Sequence, residues 1–328
     1  LIYKQLKKQK QMKFNLFWST YAPGESLEEF RSKRLMLSPA HTLSILSHHE
    51  NGSEAVIYTY QDFKGKVLPS GIEYADANDL FPVEVAFSSL ERGHSIAHVS
   101  DIVRMTASIN NLGVILDMDV VILKPLPNLD SFYSTMPAKR TGGVAIQWGK
   151  AHPPIKIHDE SWDGKAMCGF PLKVASHTSS QFLDLVNKIK DSLSKPPRKS
   201  SKGWNYVLWT VKDIIKTDLT GKVFQPMANI PVATWMGAGK CYSLESPSRL
   251  DGVTKVFGHL MPTKESIMKE SYMVSHFFES AFSKSNSVED SFWHNVPEGC
   301  LLADEALFIC GGENWSDILT ELTNRINN

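Results

Sequence analysis

Two aspartates one residue apart, Asp117 and Asp119, interrupt the apolar run LGVILDMDVVILKPL at residues 112–126. A carboxylate in apolar surroundings is costly unless it is paired, hydrogen-bonded or bound to a metal. Two carboxylates at this spacing at a strand end can share a hard divalent cation, directly or through water, because such ions prefer oxygen ligands. The cation offsets the desolvation cost and can hold a diphosphate, whose oxygens add to its coordination. The competing local reading is a strand that stops short, leaving both carboxylates hydrated in a surface turn. A lone D-x-D is expected about once by chance in a chain of this length, so its surroundings decide.

The elements that must position the pair are legible upstream. VILD reads as an apolar strand with the aspartates at its carboxyl end, where open α/β sheets bind their ligands. Residues 81–111, FPVEVAFSSLERGHSIAHVSDIVRMTASINN, take a helical period with Ile96, Val99, Ile102, Val103 and Ala107 inward. Gly113 is the expected helix stop. Asp101 and Arg104, three apart, are neighbours on one helical face, which brings an acidic and basic cluster to the same strand end. FNLFW (14–18), EAVIYTY (54–60) and GIEYADA (71–77) read as strands. Between the first two, Ser26 with Glu29 forms a capping box that opens one or two helices over LEEFRSKRLMLSPAHTLSIL. Strands alternating with helices give an α/β sheet.

The chain has 328 residues, 42% of them apolar, enough for one large α/β domain or two smaller ones. Lysine plus arginine equals aspartate plus glutamate at 35 each, so no overall field favours nucleic acid or an anionic membrane. Cys168, Cys241, Cys300 and Cys310 lack the close spacing of a zinc or redox motif. N-x-S sequons at Asn51 and Asn314 matter only in a secretory lumen. No apolar run approaches the roughly 20 residues of a membrane span. Residues 1–11, LIYKQLKKQKQ, read as a basic lead or vector remnant before a single domain over 12–328. Met12 as native start implies a cytoplasmic protein; a removed anchor implies the Golgi lumen. The second half is less regular, with amphipathic helices at 179–193 and 205–216 joined by a basic loop, SKPPRKSSKG, that reads as a solvated connection. His276, in YMVSHFFESAF, and His294, beside Trp293, sit in aromatic settings.

HVSDIVRMTASINNLGVILDMDVVILKPL (98–126) resembles the DXD sugar-transferase signature. Ser100, Asp101, Arg104, Gly113, Asp117, Asp119, Pro125 and Leu126 match it in order and approximate spacing. That family includes globoside-type α-1,4-galactosyltransferases, fungal initiating α-1,6-mannosyltransferases and the catalytic domains of clostridial glucosylating toxins. FNLFWST resembles its opening strand, ending in a tryptophan near the nucleotide, and VIYTY its second strand. The resemblance covers about the first 130 residues. Leu112 stands where members often have a second glycine, and only AMCGFPL and GWNYVL could replace the family's later acceptor-side segments.

The resemblance implies an α/β fold of the GT-A type: a Rossmann-like central mixed sheet flanked by helices, with a nucleotide-sugar half (12–130) and a less regular acceptor-side half (131–328). It implies a glycosyltransferase using Mn2+ or Mg2+ and a nucleotide-sugar donor, UDP-sugar first and GDP-sugar second, with a glycan, glycolipid or glycoprotein acceptor and retention of configuration. By the same resemblance Asp119 ligates the metal and Asp117 contacts the ribose, or the metal through water. Asp101 and Arg104 hydrogen-bond the donor sugar, Arg104 also lying near the phosphates; Arg104→Ala is expected to keep the fold and lose transfer. Trp18, and more weakly Tyr60, are the expected base-stacking residues, against a core role for each. His276 is the expected late metal or diphosphate ligand, with His294 competing. Two alternatives stand beside this reading. One is a haloacid-dehalogenase-like phosphatase, against which Val120 and Val121 replace the usual glycine or threonine; the other is a sugar-nucleotide-binding scaffold without turnover.

Overall fold

Period-2 alternation in three short strands builds the centre of the molecule. In β1 (Lys13–Phe17), β2 (Glu54–Thr59) and β3 (Ile72–Asp76), successive side chains point to opposite faces of one sheet. Phe14, Leu16, Ala55 and Ile57 enter one core, while Phe17 and Tyr58 enter the other. The described helices are α1 (Leu27–Ser32), α2 (Pro39–Glu50), α3 (Val83–Glu91), α4 (Ile96–Asn111), α5 (Ser179–Leu193), α6 (Lys264–Glu270) and α7 (Leu301–Cys310). α3, α4 and α5 share one core; α2 packs on the other face and carries α7 on its outer side. This computed structural model describes residues 12–35, 37–65, 67–126 and 172–197, with shorter segments at 132–134, 155–156, 210–211, 213–214, 222–224, 227–229, 255–256, 259–260, 264–275, 301–312, 314, 316–318, 320–321 and 324.

The remaining strands are β4 (Val114–Ile115), β5 (Val120–Ile122), β6 (Phe132–Ser134), β7 (Ile155–Lys156), β8 (Leu172–Lys173), β9 (Lys222–Phe224), β10 (Met227–Asn229), β11 (Lys255–Val256), β12 (His259–Leu260) and β13 (Met273–Ser275). The main sheet has eight strands in the order β3-β2-β1-β4-β8-β6-β9-β7, with β3, β2, β1 and β4 mutually parallel and β8 antiparallel to β4. This is the mixed, Rossmann-like α/β architecture expected of a GT-A type fold. A second sheet, β10-β13-β5, and an antiparallel pair, β11-β12, complete the described strands.

Several expectations resolve more finely than the sequence allowed. The capping box at Ser26 and Glu29 is present, but the segment it opens makes two helices, the second begun by Ser38 as N-cap and Pro39 at N1. The helical stretch 81–111 is also two helices, broken at Gly93 (φ 94°) and restarted by the Ser95 cap. The apolar run 112–126 is not one strand. It makes β4 in the main sheet and β5 in the second, with a turn at Met118 and Asp119 between them. Of the proposed helix 205–216, positions 210, 211, 213 and 214 are described and helical.

Gly113 is not the helix stop. Leu112 takes the left-handed position (φ 54°) that ends α4. Gly113 is required for space: Asn15 and Asn111 exchange amide hydrogen bonds (3.0 and 2.9 Å), and Gly113 N–H donates to Asn111 Oδ1 (2.8 Å). A Cβ at Gly113 would lie 2.6 Å from Asn15 Nδ2 and 3.0 Å from the Lys13 carbonyl. Gly113→Ala is therefore expected to cost about 1–3 kcal/mol by overpacking, seen as a lower urea midpoint at unchanged m-value.

His48, on α2, packs edge-on against Phe14 at 4.7 Å between centroids, fully buried and with neither ring nitrogen hydrogen-bonded. Burial pushes its pKa down to about 3. Between that value and the ordinary 6.5 the unfolded chain binds a proton that the folded one refuses, so stability is full above the unfolded pKa and falls with pH below it. His48→Leu is expected to flatten the acid side of the stability profile by about 1.4 kcal/mol per pH unit between pH 6 and 4, measured by urea denaturation across that range.

Candidate functional site

The turn between β4 and β5 opens onto a cavity of about 270 Å³ whose lining includes Trp18, Ser19, His41, Ser100, Arg104, Asp117, Met118 and Asp119. The carboxyl end of β1 lines it through Phe17, and Asp117 to Asp119 follow β4, which is paired in parallel with β1. α4 supplies Ser100 and Arg104, since residues four apart lie one above the other on a helix. The structure thus brings together Trp18, Arg104, Asp117 and Asp119.

The counter-charge to Asp117 is Arg104. Arg104 is buried, at 4% exposure. One terminal nitrogen donates to Asp117 Oδ1 and to the Leu116 carbonyl (2.9 Å), the other to Asp101 Oδ1 (3.2 Å), and Nε to the Ser100 carbonyl (3.4 Å). Burial acts to lower the Arg104 pKa, but Asp117, Asp101 and Asp119 outweigh it and the net shift is upward. The expected Asp101–Arg104 pair is present as an i,i+3 ion pair. Arg104 is, however, a buried tether between helix and turn rather than a side chain reaching into solvent. Both Asp117 and Asp119 are partly exposed.

Trp18 stands at the end of β1, its N–H bonded to the Tyr58 carbonyl (3.0 Å), and it lines the cavity. Its ring lies 3.9 Å from that of His41, tilted by 48°. His41 was not among the residues the sequence singled out. It is N3 of α2: the Ser38 N–H donates to His41 Nδ1, and the Ser38 hydroxyl lies 2.9 Å from the same nitrogen. Burial lowers its pKa to about 3, so the ring beneath Trp18 is neutral. A serine followed at i+1 by proline and at i+3 by histidine was the available signal, a capping pattern with histidine in the glutamate place.

Tyr60 does not reach the cleft. Its ring is buried against Phe17 and Phe30, and its hydroxyl donates to the Phe81 carbonyl (2.8 Å). Burial raises its pKa, and the position is one of core packing. The Asn51 sequon is also taken up structurally: its amide donates to the Ser47 and Ile122 carbonyls (2.9 and 2.8 Å). His276, Trp293 and His294 lie outside the described residues. β13 nevertheless ends at Ser275, paired antiparallel with Val120, the residue after Asp119.

Among the described lining and supporting residues, three carboxylates (Asp101, Asp117, Asp119) surround one guanidinium, and His41 is neutral. That excess of hard oxygen donors suits a divalent cation. Among the described residues, no group of three or more His, Cys, Asp or Glu is placed to hold a metal ion by itself. No described helix is long and apolar enough to cross a membrane.

No family model and no curated protein matches this chain. Among solved structures it is similar to one described as "PaToxG Glycosyltransferase", at 13% identity over 80% of this chain and 88% of that chain, with a TM-score of 0.35.

Proposed function

We propose that the protein is a metal-dependent glycosyltransferase that moves a sugar from a nucleotide-sugar, a UDP-sugar in the first instance, to a glycan, lipid or protein acceptor. One observation carries this reading: an aromatic wall, Trp18, and an acidic turn, Asp117 to Asp119, share one cleft at the carboxyl end of a central parallel strand pair. A diphosphate brought against that turn is repelled unless a cation comes with it. The residues present fit such a cation, which when bound would act as a Lewis acid on the departing diphosphate.

Asp119 is assigned to the metal directly. Asp117, held by Arg104, is assigned to the ribose or to the metal through water. Asp101 and Arg104 fix the turn, and Trp18 offers its face to the base. His276 remains the proposed late ligand, supported by the β13 register that brings Ser275 opposite Val120. Retention follows the resemblance, with the acceptor attacking from the face the diphosphate leaves; inverted anomeric coupling in the product would overturn it. The clamp on Asp117 by a buried guanidinium disfavours its use as a phosphoryl nucleophile.

The test is calorimetric titration with UDP- and GDP-sugars, each with manganese and with chelator. Manganese-dependent binding of one nucleotide is expected. Binding to none of them removes the proposal, and binding without transfer or donor hydrolysis leaves a sugar-nucleotide-binding scaffold.

A further inference from the structure

β5, which follows Asp119 directly, is the edge strand of its three-stranded sheet. One edge is paired with β13. Among the described residues no strand pairs with its other edge, which is met by side chains of α2. Ser44 Oγ donates to the Val120 carbonyl (2.6 Å). Ser47 Oγ accepts from the Ile122 N–H (2.9 Å) and donates to the Ser44 carbonyl (2.6 Å). Asn51 Nδ2 donates to the Ile122 carbonyl. Ser44 and Ser47 are fully buried.

These three positions form a polar stripe at helical spacing, and the same stripe begins with His41, whose ring supports Trp18. A helix rises about 1.5 Å per residue and is stiff over this length. α2 therefore joins the two walls of the cleft by a fixed strut, with Trp18 at its first turn and the strand behind Asp119 along its length.

We propose that Ser44, Ser47 and Asn51 are positioning residues that hold Asp119 at a set distance from Trp18 through the backbone of β5. The assignment rests on the metal-site reading above for its functional consequence, but the grip itself can be tested independently.

The variants are Asn51→Ala and Ser47→Ala, with Ile189→Val on α5 as a control that loosens the core away from α2. Amide hydrogen exchange of the intact protein is read by mass spectrometry over residues 116–123 and over β2, and manganese–UDP affinity by calorimetry. Exchange over 116–123 is expected to rise in both α2 variants while β2 is unchanged, and manganese–UDP affinity to fall about tenfold, the size usual for groups that orient a metal ligand. The control is expected to show neither effect. Exchange that rises equally in β2, or affinity unchanged in both α2 variants, overturns the proposal. A wild-type protein that binds no manganese–UDP counts against the function proposed above, and the exchange result then decides the grip alone.

Discussion

Asp119→Ala is expected to abolish manganese-dependent donor binding and to slow transfer about a thousandfold, equivalent to about 4 kcal/mol of transition-state stabilisation, within the range a Lewis-acid cation supplies. The ion pairs of Arg104 run to Asp101 and Asp117, and Asp119 sits in the turn that follows, lining the cavity. Its removal should take away the cation without dismantling the helix-to-turn tether. Circular dichroism and urea denaturation would show the fold retained while calorimetry shows manganese dependence gone. Asp119→Ala with wild-type activity would remove the residue from the site.

Arg104→Ala has the opposite balance. It is expected to cost about 2–3 kcal/mol of stability, because removing the buried guanidinium leaves Asp101 without its partner, while Asp117, 39% exposed, is largely compensated by solvent. The guanidinium satisfies Asp101, Asp117 and the Leu116 carbonyl at once, and the Asp101 side chain is only 14% exposed. This revises the expectation, drawn from sequence, that the variant would keep its fold and lose only transfer. Urea denaturation of Arg104→Ala, Asp117→Asn and the double variant measures the coupling directly. The double variant should cost less than the sum of the two single ones. A wild-type midpoint in Arg104→Ala, together with lost transfer, would instead make Arg104 a donor ligand.

What was legible in the sequence was what repeats locally. Asp101 and Arg104 lie three apart on a helix, and that spacing alone makes them neighbours. β1, β2 and β3 alternate in the period of a strand, and the parallel sheet followed. Trp18 and the two aspartates sit at strand ends, where such sheets bind ligands. What escaped was non-local. Tyr60 and Trp18 both end a strand in an aromatic, yet one turns into the core and the other lines the cleft, a difference set by Phe30, Phe81 and His41 from separate elements. Ser44, Ser47 and Asn51 bond to backbone more than 70 residues away, and backbone groups leave no trace in the sequence of their partner. Gly113 read as a helix stop because a glycine after a helix usually is one; the amide pair that demands its small size joins residues 96 apart.

The pairing of β5 with β13 has a consequence for biosynthesis. Val120–Ile122 leaves the ribosome about 150 residues before Met273–Ser275, a lag on the order of ten to thirty seconds at usual elongation rates. During that interval β1, β2, α2 and α4 are all available to fold, and α2 can already shield one edge of β5. The other edge waits open, as a template with unpaired N–H and C=O groups of the kind that invites pairing with another chain. The nascent protein thus carries an open edge at the strand next to its acidic turn until Met273–Ser275 arrive to close it.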